Sequence, residues 1–166
     1  MNELIKRELI FFKPISFRNS YKLYSNSNII SEMTLRESEA TVSYGNDKWL
    51  FQKKGFFTIF VEITKGDLSA NLYKIPIRNF YQTKFYFQED FMVKFELHKF
   101  CDTSWAWFDN KMNTIIEYKI GDDNLESGIN IINEKHLNLD RLILLIMLGW
   151  YLLITVESYA YNFALK

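Results

Sequence analysis

The stretch Leu142-Ile-Leu-Leu-Ile-Met-Leu-Gly-Trp-Tyr-Leu-Leu-Ile-Thr-Val156 decides how this 166-residue chain is read. It carries no charge across fifteen residues, and Thr155 is its one hydroxyl outside the aromatic Tyr151. As a helix it would be about 22 Å long, short of the ~30 Å of bilayer hydrocarbon. Extension through Ser158-Tyr-Ala-Tyr-Asn-Phe-Ala-Leu165 reaches spanning length but places Glu157 in the bilayer, at ~2–3 kcal/mol. Apolarity on every side also describes a helix enclosed by protein. The two solutions are a tail anchor in a membrane and the centre of a closed protein wrapper. The length favours the wrapper. Asn138 or Asp140 can cap the start, because a short side-chain oxygen satisfies orphan N–H groups. The predicted helix spans about 139–161. Gly149 costs ~1 kcal/mol inside it, which marks close approach by a strand or a bulky ring.

Upstream the pattern is different. Period-two alternation recurs from about residue 20 to residue 132. Phe91, Val93, Phe95 and Leu97 share one face, with Met92, Lys94, Glu96 and His98 on the other. Ile116, Tyr118 and Ile120 alternate with Glu117 and Lys119 in the same way. Counting the segment around Leu9 to Ile15, about twelve short strands emerge. Turn signals punctuate them: Asn26 to Asn28, Gly45-Asn46-Asp47, Gly66-Asp67, Glu89-Asp90, Asp109-Asn110 and Gly121 to Asn124. Such spacing predicts a sandwich or barrel. Aromatics make up 17% of the chain, which suits half-buried strands. The expected fold is all-β with one helix: an antiparallel barrel of about twelve strands around Leu142–Val156, as a single domain over residues 1–166.

Many hairpins followed by one apolar helix make a rare order of elements. Leu139-Asp140-Arg141 opens that helix, and Trp105-Ala-Trp-Phe-Asp-Asn-Lys-Met-Asn-Thr-Ile-Ile-Glu-Tyr-Lys119 reads as a strand–turn–strand with an Asp-centred turn. In these features the chain resembles the tubby C-terminal-like superfamily, which includes LURP-one-related proteins and phospholipid scramblases. The resemblance covers about Ser20 to Val156. It implies the barrel with a threaded helix, and it carries over no functional residue.

Composition narrows the function classes. Twenty basic and twenty acidic side chains balance, so no global field recruits nucleic acid. Cys101 is the single cysteine, so no intramolecular disulfide forms, and Met1 to Phe17 lacks the pattern of a secretory signal. A cytoplasmic location, at most peripheral to a membrane, is expected.

Candidate chemistry is sparse. His98 and Cys101 form an HxxC, but a nucleophile and base also need hydrogen-bond reach and an orienting group. Adding Asp102 does not make a convincing zinc site. His136 reads as a polar residue at the helix entrance. No Gly-x-Gly occurs, and Asp122-Asp123-Asn124-x-Glu126 lacks EF-hand spacing. No enzyme activity, cofactor or metal is therefore expected. Lys6, Arg7, Lys13, Arg18 and Lys22 give the N-terminal region a basic excess over Glu3 and Glu8. Of Trp105 and Trp107, one indole is expected on the helix and the other outside. The strongest binding candidate is Lys48, Lys53 and Lys54 with Phe56 and Phe57, because lysines beside exposed aromatics suit an anionic lipid surface. The expected role is a binding or scaffold module that meets anionic phospholipid headgroups. A protein-interaction or partner-neutralising role through outer Tyr and Phe side chains is the alternative.

Overall fold

The computed structural model describes residues 10–15, 19–66, 71–79, 82–88, 91–99, 102–120, 127–133 and 137–164. Within these segments the side chains of 10–15, 71, 78, 79, 82, 88, 97–99, 102–104, 120, 127 and 156–164 lie outside the description. The elements in chain order are β1 (Ile10–Ile15), β2 (Ser20–Ser25), β3 (Asn28–Arg36), β4 (Glu39–Tyr44), β5 (Asp47–Lys54) and β6 (Phe60–Lys65). They continue as β7 (Asn71–Asn79), β8 (Gln82–Gln88), β9 (Phe91–Lys99), β10 (Asp102–Asp109), β11 (Thr114–Ile120), β12 (Ser127–Ile131) and α1 (Leu139–Ala164). From β2 to β12 every strand pairs antiparallel with its neighbour in sequence, giving one eleven-stranded sheet that wraps barrel-like around α1. β1 lies alongside β2. The chain is therefore mostly β with one C-terminal helix, as the alternation predicts.

Alternation sets which face turns inward. Ala40 and Val42 of β4 are buried while Glu39 and Thr41 are exposed. Trp49 and Phe51 of β5 are buried while Lys48 is exposed. Pairing links the inward residues across strands. Ala40, Phe51, Ile63 and Tyr73 form one register row, and Thr83, Phe95, Trp107, Ile116 and Ile131 form another. Tight turns fit their residues: Asn26 and Ser27 both adopt positive φ in the β2–β3 connection, as a primed two-residue hairpin turn requires.

The helix is the centre of the molecule. Twelve consecutive residues, Leu142 to Leu153, are buried. Twelve residues make more than three turns, so no face of this segment looks at water. Among the described residues, no helix is long and apolar enough to cross a membrane. Asn138 is the cap: its Oδ1 accepts from Arg141 N at 2.9 Å and its carbonyl from Leu142 N at 3.0 Å. At its other end α1 continues to Ala164, three residues beyond the predicted limit. Its carbonyls inside the sheet meet polar groups. Trp107 Nε1 donates to Leu145 O at 3.0 Å, and Tyr118 Oη lies 3.0 Å from Leu145 O and 2.9 Å from Ile146 O.

The tryptophan expectation needs correction. Trp105 and Trp107 are both buried, because residues two apart on a strand share a face. Both pack on Phe95, Trp105 stacked at a centroid distance of 5.3 Å and Trp107 tilted at 4.8 Å.

Candidate functional site

The five candidate residues fall on β5 and the loop that follows it, and the structure divides them. Lys48 sits at the start of β5, paired with Ser43 beside the Gly45-Asn46 turn. Lys53 and Lys54 sit at its far end, about 17–20 Å away at 3.3 Å per residue. A single patch of all five therefore does not exist. The lysines at the far end and the two phenylalanines stay together.

Phe56 and Phe57 are 90% and 96% exposed, which for two adjacent rings marks them as outward-projecting. They pack edge to face, centroids 5.1 Å apart and planes at 87°. Gly55 makes this presentation possible. Its φ is +96°, and a Cβ there would overlap the Thr58 carbonyl oxygen. The loop is tied down on both sides: Lys53 N donates to Ser38 O at 3.0 Å, and Ile77 N donates to Ile59 O at 2.9 Å.

The lysines differ in their surroundings. Lys54 Nζ forms an ion pair with Glu62 Oε2 at 2.5 Å. Lys53 lies on the inward-facing row of β5 with Trp49 and Phe51, and is half-buried. Glu62 is the residue that sequence reasoning missed. Its signal was the β5–β6 hairpin itself, whose register pairs Glu62 with Gln52, two places from Lys54. Lys74 adds a third cation near this end, 4.0 Å over the Phe60 ring.

Of the other candidates, His136, Cys101, Asp122, Asp123, Asn124 and Glu126 lie outside the described residues, as do the side chains of His98, Asp102 and Glu157. Lys6, Arg7, Arg18 and the side chain of Lys13 do so as well, while Lys22 is half-buried on β2. Among the described residues no group of three His, Cys, Asp or Glu is placed to hold a metal. Of the described Tyr, Phe and Trp side chains on strands, Tyr86 alone is exposed. No family model matches this sequence, and no curated protein or solved structure is significantly similar to it.

Proposed function

We propose that this chain is a non-enzymatic binding module that associates with anionic membrane surfaces through the Lys53–Phe57 corner. The exposure of Phe56 and Phe57 beside two lysines carries the reading. Two rings held outward in water gain by entering the acyl boundary, and nearby cations gain ~1 kcal/mol each near anionic headgroups. Lys54 contributes less than that while Glu62 holds it. Among the described residues, Leu142 to Leu153 of α1 are buried, so this stretch presents no free face to a ligand.

We further read the fold as a closed twelve-stranded barrel of the tubby C-terminal-like kind. Support comes from β1, which registers Ile10, Phe11 and Phe12 against Ile129, Gly128 and Ser127 of β12 as well as lying beside β2. A closed sheet has no free edge to aggregate.

Vesicle co-sedimentation with and without phosphatidylserine tests the function. The wild type should sediment more with the anionic vesicles, and Phe56→Ser/Phe57→Ser should lose most of that binding. Glu62→Gln should strengthen it by releasing Lys54. Equal failure to sediment with both vesicles refutes the proposal.

A further inference from the structure

The antiparallel path sorts every connection to one of two ends. The β3–β4 and β5–β6 connections lie at the end where Tyr151 Oη of α1 donates to Ser38 O at 2.8 Å. The β2–β3 and β4–β5 turns, Lys48 and the start of α1 lie at the other end, where the Asp140 carboxylate acts on Tyr44 and Lys65. Phe56 and Phe57 therefore project from the end through which α1 leaves the sheet. The helix backbone runs on from Tyr151 to Ala164, about 20 Å at 1.5 Å per residue.

We infer that the lipid surface is met end-on, by the end carrying Phe56, Phe57 and the exit of α1, with the strands standing up from it. This rests on the lipid-binding reading above and adds the orientation. Two inserted rings cover roughly 300–500 Å², well below the ~800 Å² per partner of a stable protein interface, so the corner suits a bilayer better than a protein. The strand wall carries polar groups that already satisfy one another: Gln52 with Glu39 and Lys54 with Glu62 beside the corner, and Lys94 with Glu96 and Asn130 with Glu117 farther round the sheet. Laying that wall on lipid would desolvate these pairs without inserting an aromatic pair. The opposite end presents the Lys65–Asp47 ion pair, at 2.6 Å, beside Lys48.

Tryptophan reporters in the full chain test the orientation. The four native tryptophans are at most 7% exposed and supply a constant background. With phosphatidylcholine–phosphatidylserine vesicles carrying brominated acyl chains, Phe57→Trp should be strongly quenched. Lys48→Trp at the opposite end and Leu50→Trp on the wall should match the wild type. Phe56→Ser/Phe57→Ser should lower vesicle affinity about tenfold or more with an unchanged melting temperature. Quenching of Leu50→Trp or Lys48→Trp with Phe57→Trp unquenched overturns the end-on orientation and leaves lipid binding standing. Absence of any vesicle binding by the wild type removes both.

Discussion

Gly149 of α1 packs so closely on Tyr118 of β11 that a Cβ on the glycine would overlap the phenol hydroxyl and press on Trp107 Nε1. The helix thus gives up the propensity of a better residue to bring its backbone against a ring and an indole. Burial raises the Tyr118 pKa well above its ordinary value, so the hydroxyl stays a donor at every physiological pH. All donors are served when the indole N–H goes to Leu145 O and the phenol O–H to Ile146 O.

Gly149→Ala should therefore destabilise, although alanine is the better helix former. Overpacking at so short a separation costs about 3 kcal/mol, and the gain in propensity returns about 1. A net loss of about 2 kcal/mol in denaturant unfolding is expected. Tyr118→Phe removes the nearest colliding atom, so the glycine substitution should cost less in that background. The double-mutant cycle should give a coupling of about 0.5 kcal/mol or more, and additivity would refute the contact.

The carbonyl of Ser38 accepts from both Tyr151 Oη at 2.8 Å and Lys53 N at 3.0 Å, tying α1 to the corner that bears Phe56. Tyr151→Phe should cost only about 1 kcal/mol, since Lys53 N still satisfies that oxygen. Hydrogen exchange at the Lys53 amide should quicken more than exchange in β9, which does not share this oxygen. Equal protection changes in both strands would mean that the bond does not position the corner.

Much of this architecture was legible in the sequence. Period-two runs located the strands, and an uncharged run with Asn138 ahead of it located the helix, because burial imposes those patterns directly. Gly149 was readable as a close approach, since a glycine inside a helix needs a compensating reason. The candidate site was only half legible. Lys48 and Lys54 look adjacent in sequence, but an extended strand carries them to opposite ends. Glu62 was hidden because pairing across a hairpin depends on register, which no local pattern of β5 states. Trp105 and Trp107 are two apart on one strand, so parity turns both side chains to the same face.

Asp109 organises the β10–β11 turn, accepting from Lys111 N, Asn113 N and Asn113 Nδ2 at 2.8 Å each. Burial works against its charge, but these donors outweigh it and hold the pKa below its ordinary 3.8. A depressed folded pKa stabilises above the unfolded value and is lost as pH falls through the folded one. Asp109→Asn should thus differ from the wild type by a constant amount above about pH 4. The difference should shrink in stronger acid. Water screens this turn, so about 1 kcal/mol is the expected size. A difference that grows on acidification would contradict the turn's electrostatics.

Met112 in the same turn has φ +63°, a conformation costly for a long side chain, and is 52% exposed. Met112→Asn keeps the turn and suits the left-handed region, with little packing to lose. It should raise stability by about 0.5–1 kcal/mol, seen as a higher denaturant midpoint at constant slope. A lower midpoint would show that the methionine packs on the turn in solution.

Leu145 is fully buried in the middle of α1, whereas Leu72 on β7 is 43% exposed. Placing one aspartate at each position separates a central helix from a sheet that folds without it. Leu145→Asp loses about 2 kcal/mol of apolar burial and adds an unpaired carboxylate among apolar side chains, at several kcal/mol more. Against a total stability of about 5–15 kcal/mol, that sum is enough to abolish the cooperative transition of the whole chain. Leu72→Asp should lower stability by less than about 1 kcal/mol. If Leu145→Asp instead melts with the wild-type midpoint, the strands do not depend on the helix. The enclosure of Leu142 to Leu153 would then contribute nothing to the fold, contrary to their burial on every side.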